Sequence, residues 1–147
     1  MKNLILALSC LLLITACDSD KSLSKKVPGW YTVEKKMDNG VSLSGKLTYY
    51  KNGDLKIVAI ISGEVAKGYS VKYETTAKGT WSVENGYLKE DITEFITNPQ
   101  ILGDQLLELY KKEYENSKGD KILNVDKDEL KIKNSKGEIY TYKRIEK

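Results

Sequence analysis

The chain has 147 residues with 24 basic and 21 acidic side chains, a formal net charge of +3, and no histidine. Because the lysines are dispersed among Asp and Glu instead of forming a stripe, no nucleic-acid partner is expected. The lack of histidine excludes His-dependent triads, imidazole acid–base catalysis and His-ligated metal sites.

The first sixteen residues have the parts of a signal peptide. A short basic start containing Lys2 precedes an apolar run from Leu4 to Ile14, and the small residues Thr15 and Ala16 follow. As a helix, the segment from Leu4 to Ala16 would be about 20 Å long, too short for a hydrocarbon core of about 30 Å. We therefore predict that residues 1–16 are a cleaved signal peptide and not a transmembrane helix.

The sequence Ile14-Thr15-Ala16-Cys17 resembles the lipobox of bacterial lipoproteins. The resemblance implies that the Cys17 thiol receives a diacylglycerol and that the peptide before it is removed. Several acyl chains, at about 0.8 kcal/mol per buried methylene, make such an attachment effectively permanent. It also implies a location at the cell membrane, with the domain facing the periplasm or the outside. Asp18 resembles the inner-membrane retention signal of enterobacterial lipoproteins.

Residues 17–28 are predicted to be the lipidated cysteine and a flexible tether. The segment 18–27, "DSDKSLSKKV", is rich in Ser, Lys and Asp and shows no apolar periodicity. Such a segment would span about 17 Å as a random coil. Because Cys10 lies in the removed peptide and the Cys17 sulfur becomes a thioether, no intramolecular disulfide is expected.

Alternation of apolar and polar residues dominates the chain from residue 29 to 147. Asn52-Gly53 and Asn85-Gly86 each separate two alternating runs, which predicts two hairpins with type I′ turns. Three more short strands are predicted near the carboxyl terminus. The pattern predicts one mainly β domain, an antiparallel meander or barrel of about eight or nine strands. We also expect the protein to be a monomer.

One segment has helical instead of alternating spacing. Pro99 is a suitable first helical residue and Gly119 a suitable terminator, so we predict a helix over about 99–117. An amphipathic helix either buries its apolar face on the sheet or presents it to a partner or a membrane. The apolar face consists of Leu102, Leu106, Leu109 and Tyr110.

Three stretches, "GWYTVE", "GTWSVENGYL" and "NVDKDELKIKNSKGEIYTYKRI", resemble the lipocalin-like domains of small bacterial lipoproteins. The resemblance covers about residues 29–147 and implies a barrel with a binding role, without catalytic residues. Aromatic residues at alternating strand positions either line a ligand cavity or fill the core. The candidate ligand-binding residues are Trp30, Tyr49, Tyr73 and Trp81.

Carboxylates form two clusters in the sequence, and both alternate with lysines as exposed strands and turns do. The clusters are Glu90, Asp91 and Glu94, and Asp126, Asp128 and Glu129. The second lacks the glycine and the distant glutamate of an EF-hand, so a polar hairpin turn is favoured over a calcium loop. We predict no enzymatic activity, no metal and no cofactor.

Two function classes fit these features. The first is a membrane-anchored lipoprotein with a non-enzymatic binding domain for a small amphiphile or a cell-envelope component. The second is a protein-interaction lipoprotein, such as an immunity protein, an enzyme inhibitor or an accessory to an envelope complex. A retained small apolar ligand would favour the first class, and a neighbouring toxin gene would favour the second.

Overall fold

The computed structural model describes residues 19–36, 42–66, 69–98 and 100–145. Over these residues the chain forms two helices and eight strands, and α1 comprises residues 19–26. The other elements are β1 (Gly29–Lys36), β2 (Ser42–Tyr49), β3 (Asp54–Ala66), β4 (Tyr69–Glu84), β5 (Tyr87–Thr97), α2 (Gln100–Tyr114), β6 (Asp120–Val125), β7 (Glu129–Lys133) and β8 (Ile139–Ile145).

The eight described strands form a closed antiparallel barrel. Each strand pairs with the next in sequence, and β8 returns to β1, where Arg144 lies opposite Tyr31. The predicted meander of about eight or nine strands is thus confirmed as a closed, lipocalin-like barrel. The predicted helix is also confirmed, because α2 lies within the range 99–117.

The two Asn-Gly turns differ in geometry. Asn85 and Gly86 both have positive φ, 54° and 77°, as the predicted type I′ turn requires. At the other turn, only Gly53 has positive φ, and its N–H donates to the Tyr50 carbonyl at 3.1 Å. That turn is a type I turn followed by a left-handed glycine, so the type I′ prediction for Asn52-Gly53 was wrong.

Side chains fill the interior of the barrel. The rings of Tyr31 and Tyr49 meet edge to face with centroids 5.8 Å apart, and those of Tyr49 and Trp81 do so at 5.5 Å. An eight-stranded barrel is just wide enough for its side chains to occupy the centre. The largest fully buried side chains are Tyr31, Tyr49, Leu55, Leu88, Ile92, Leu130, Ile132 and Val27.

The segment expected to be a flexible tether instead contains α1, which packs on the barrel. Leu23 contacts the core and Val27 is fully buried; a spacing of four residues places both on the same side of a helix. The Asp20 carboxylate accepts the N–H groups of Asn85 and Gly86 at 2.6 and 2.8 Å. These tertiary contacts order a segment whose composition alone indicates a coil.

Arg144 on β8 joins α1 to the seam of the barrel, which is the pairing of β1 with β8 that closes it. Its guanidinium donates to the carbonyls of Pro28 at 2.8 Å and Lys26 at 2.6 Å, and to the Tyr31 hydroxyl at 2.6 Å. It also lies over the Tyr31 ring, 4.9 Å from the centroid. One side chain therefore connects β8, β1 and the end of α1.

Helix α2 covers the edge of β5 that β6 leaves unpaired. The registered pairs between β5 and β6 are Tyr87 with Lys121 and Leu88 with Asp120, so none of the described strands pairs with that side of β5 toward Thr97. The Tyr110 hydroxyl of α2 donates to the carbonyl of Glu90 at 2.8 Å. Neither of the described helices is long and apolar enough to cross a membrane.

Gly103 allows α2 to approach β5 closely, so Gly103→Val is expected to lower the free energy of unfolding by about 2 kcal/mol. A Cβ atom at this position would lie 2.3 Å from the Phe95 carbonyl oxygen and would push the helix away. Urea denaturation should show this loss, while Gln105→Val, at an exposed position of the same helix, serves as the control. Because valine has a higher helix propensity than glycine, a loss in Gly103→Val no larger than that in Gln105→Val would mean that close contact with β5 does not set the effect.

Candidate functional site

A cleft of about 300 Å³ opens where β6 diverges from β5. Beside it, a groove of about 520 Å³ shares Glu90, Asp91 and Tyr114 with the cleft but has Lys111 and Lys112 on its wall. The residues that line the cleft are Thr80, Trp81, Ser82, Leu88, Lys89, Glu90, Asp91, Tyr114, Ser117, Gly119 and Asp120.

Glu90 is a carboxylic acid on the inner face of the barrel wall. It lies between Leu88 and Ile92, which are both 2% exposed, and alternation along β5 places all three on one face. Across the sheet it is in register with Trp81, another core residue. Glu90 itself is half-buried because the cleft reaches it.

The Glu90 carboxyl is held by a tyrosine from the opposite side of the core. The hydroxyl of Tyr49, whose residue is 2% exposed, donates to Glu90 Oε1. Burial raises the pKa of Glu90 to about 7; the hydrogen bond from Tyr49 lowers this pKa and the nearby Asp120 charge raises it. Burial, together with the Glu90 charge, also raises the pKa of the Tyr49 hydroxyl well above its usual range. The core therefore contains a carboxyl group that titrates near neutral pH.

Aromatic rings form much of the remaining wall. Trp81 is fixed because its indole N–H donates to the Tyr50 carbonyl at 2.9 Å. On α2, the rings of Tyr110 and Tyr114 stack with centroids 4.6 Å apart, and Tyr114 is 40% exposed beside the cleft. A ligand in the cleft would therefore meet fixed aromatic surfaces.

The candidate aromatic residues lie in different places. Tyr49 and Trp81 are neighbours in the core, and Trp81 also lines the cleft. Half-buried Trp30 lies on the opposite face of β1 from Tyr31, and half-buried Tyr73 lies toward the other end of β4 from Trp81. The four residues therefore do not form one site.

Two other groups of predicted site residues lie largely outside the described part of the chain. Cys17 is not among the described residues, and neither are the side chains of Leu102, Leu106 and Leu109, although their backbone belongs to α2. Tyr110, the fourth residue of the predicted apolar face, is half-buried with its ring 6.2 Å from that of Phe95.

Glu90 is the site residue that the sequence interpretation placed wrongly, since it was grouped with Asp91 and Glu94 on an exposed strand. Asp91 and Glu94 are indeed exposed, and Glu94 forms an ion pair with Lys78 at 3.1 Å. The alternation along the strand could have shown this, because Glu90 lies two positions from both Leu88 and Ile92 and therefore shares their face. Leu88 and Ile92 are both buried.

The second carboxylate cluster forms a polar turn, as favoured from the sequence. Asp126 Oδ1 accepts the N–H groups of Asp128 at 2.8 Å and Glu129 at 3.0 Å. These hydrogen bonds lower the pKa of the Asp126 carboxyl. Among the described residues, no group of three or more Cys, Asp and Glu side chains is placed to hold a metal ion.

The geometry of the cleft suits reversible binding. It combines a half-buried carboxyl, fixed aromatic rings and a volume at the lower end of ligand-binding pockets. No protein-family model and no curated protein matches the sequence.

Proposed function

We propose that this chain is a membrane-anchored bacterial lipoprotein whose barrel binds a small amphiphile or a cell-envelope component without catalysing a reaction. The observation that carries the proposal is the cleft between β5 and α2, with Glu90 and Trp81 in its wall. Because Tyr31, Tyr49 and their neighbours fill the centre of the barrel, the ligand binds at this lateral opening and not in a central cavity.

The lipid anchor is proposed from the sequence of residues 14–17. The position of α1 limits how far the barrel can lie from this anchor. Ser19 already belongs to α1, and two residues of chain reach at most about 7 Å from Cys17. A lipid on Cys17 would therefore hold the α1 end of the barrel against the bilayer. In this orientation the domain stays at the membrane surface, facing the periplasm or the outside, instead of moving freely on a tether.

Cys17→Ser is expected to abolish the incorporation of labelled fatty acid, because the acceptor thiol is lost. Metabolic labelling followed by purification of the protein measures this directly. Cys10→Ser is the matched control, since Cys10 lies in the segment proposed to be removed, and it should label normally. Continued labelling of the Cys17 variant would rule out the lipid anchor at this residue.

Native mass spectrometry of the purified chain tests the binding function. The expected result is an additional mass that stays with the folded protein and disappears on denaturation. Trp81 is fixed in the cleft wall, so its indole N–H resonance should shift when the ligand is removed or restored. A protein that carries no ligand and shows no such shift with envelope extracts would contradict the proposal.

A row of mainly apolar residues on the outer surface favours a second candidate, a protein-interaction lipoprotein. Val58, Thr76 and Ile96 are in register across β3, β4 and β5, and Ile60 is two positions along from Val58. Ile60 and Ile96 are 39% and 40% exposed. This row would suit an immunity, inhibitory or envelope-complex role, and a toxin gene in a neighbouring reading frame would favour it.

A further inference from the structure

We propose that the ligand of the cleft is a small organic cation whose ammonium group binds between the Glu90 carboxylate and the rings of Trp81 and Tyr114. This inference rests on the proposed binding function and adds the chemical class of the ligand. Its basis is the combination of charge, aromatic surface and volume in one opening of the barrel wall.

The balance of charge in the cleft favours a cation. Three of its lining residues are acidic, namely Glu90, Asp91 and Asp120, and one is basic. The basic residue, Lys89, already forms an ion pair with Glu84. An anionic ligand would be repelled by these carboxylates, whereas an ammonium group would offset their mutual repulsion.

The position of Glu90 distinguishes this cleft from an ordinary acidic surface. Its carboxyl group lies on the inner face of the wall, and Tyr49 occupies Oε1 from the side of the core. Burial raises the pKa of Glu90 to about 7, so the carboxyl is largely ionised at pH 8. An ionised carboxylate in such surroundings interacts strongly with a cation that replaces water beside it.

Besides the Glu90 carboxylate, two aromatic rings in the cleft are placed to bind the ammonium group. An ammonium or trimethylammonium group gains energy over the face of Trp or Tyr, most of all where water is excluded. Trp81 is fixed through its indole N–H, and Tyr114 is held against Tyr110. Both rings line the same opening as Glu90.

The volume of the cleft limits the size of the ligand, and comparison with the neighbouring groove indicates where its ammonium group binds. A volume of about 300 Å³ suits a compact headgroup, at the lower end of the range for ligand pockets. The adjacent groove is lined by three acidic and two basic residues, so its charge is more nearly balanced than that of the cleft, whose one lysine pairs with Glu84. The cleft is therefore the better location for the ammonium group.

Calorimetric titration of the full chain in a non-ionic detergent at pH 8 tests the proposal with four probes. Choline and butylammonium carry the charge, 3,3-dimethylbutan-1-ol is the uncharged isostere of choline, and butyrate is the anionic control. We expect both cations to bind at least tenfold more tightly than the alcohol and butyrate. Two-dimensional NMR should show the Trp81 indole N–H resonance shifting with the cations.

Variants locate the ammonium group. Glu90→Gln should weaken choline binding at least tenfold, and Tyr114→Leu should weaken it about threefold because one ring is lost. Glu94→Gln changes an exposed carboxylate on the same strand and should leave the affinity unchanged. Far-UV circular dichroism of each variant checks that the barrel is retained.

The outcomes separate this inference from the proposed function. If the alcohol binds the cleft as tightly as choline, the cationic ligand is ruled out while the cleft remains a binding site. If Glu90→Gln leaves choline affinity unchanged, the ammonium group does not bind at Glu90 and the inference is wrong. If neither cation binds but a retained ligand is found by native mass spectrometry, the ligand class is again wrong. If no probe binds and no ligand is retained, both the inference and the binding function fail.

Discussion

Arg144→Ala is expected to lower the free energy of unfolding by about 4 kcal/mol. The guanidinium makes part-buried hydrogen bonds to the Pro28 carbonyl and the Tyr31 hydroxyl. Hydrogen bonds to charged groups contribute about 1.5–3 kcal/mol each, and the truncation leaves both partners without their donor. It also removes the cation from the face of the Tyr31 ring. Urea denaturation followed by fluorescence measures the loss.

The loss should be accompanied by release of α1, because Arg144 also donates to the Lys26 carbonyl at the end of that helix. Amide hydrogen exchange over residues 19–26 should accelerate in the variant more than exchange in β3 and β4. Arg144→Lys should recover part of the stability, since an ammonium keeps the charge but cannot span the same three acceptors.

Lys143→Ala is the matched control for Arg144→Ala, because it changes the neighbouring, exposed residue of β8. Its effect should stay within about 0.5 kcal/mol. If the two variants lose equal stability, the contacts of Arg144 do not hold the seam. If Arg144→Ala is strongly destabilised while exchange over 19–26 is unchanged, α1 is held by Leu23 and Asp20 instead.

The hairpins and α2 could be predicted because their signals are local. Alternation of residues such as Leu55 and Ala59 marks buried positions, and both are buried in the barrel. Gly119 ends the segment after α2 with a φ of 88°, as expected of a left-handed glycine. Such signals need only neighbours in sequence, since they follow from backbone sterics and from the period of each element.

Closure of the barrel and the packing of α1 on it both depend on contacts between residues that are far apart in the sequence. The pairing of Tyr31 with Arg144 joins opposite ends of the domain, so local alternation left both an open meander and a barrel as alternatives. Similarly, Asp20 binds the N–H groups of a turn formed by Asn85 and Gly86. The polar composition of residues 18–27 gives no indication of that turn, and a tether was the natural expectation.

The cleft was missed for a related reason. Its wall exists because β6 pairs with only the start of β5 and α2 covers the rest, a departure from regular pairing that alternation cannot show. The inward position of Glu90 could have been predicted from the sequence, because Glu90 alternates along β5 on the same face as Leu88 and Ile92. The neighbouring charges in "LKEDITE" concealed that alternation, because a cluster of charges usually indicates solvent exposure.

Glu90→Gln is expected to remove most of the pH dependence of stability between pH 5 and 8. The pKa of Glu90 is raised from 4.5 to about 7 in the folded state, chiefly by burial. Between these values the folded protein therefore binds more protons than the unfolded chain. The free energy of unfolding then falls as the pH rises from about 4.5 to about 7, and it levels off above pH 7.

The expected fall for the unmodified chain between pH 5 and 8 is at most about 2.5 kcal/mol, since one pKa unit corresponds to about 1.4 kcal/mol. Access of water to the half-buried carboxyl reduces this figure. Glutamine keeps an acceptor for the Tyr49 hydroxyl but carries no charge. The variant should therefore match the unmodified chain at pH 5 and be the more stable protein at pH 8.

Urea denaturation at half-unit steps from pH 5 to 8 measures both profiles, and Glu94→Gln should keep the unmodified profile because its carboxylate is exposed. The lowered pKa of Asp126 affects stability only as the pH falls through the region below its ordinary value of 3.8, outside this window. A Glu90→Gln profile that falls as steeply as that of the unmodified chain would place the titrating group elsewhere. A profile with the opposite slope in the unmodified chain would mean that Glu90 is stabilised in its ionised form, and its carboxyl would then be solvated through the cleft.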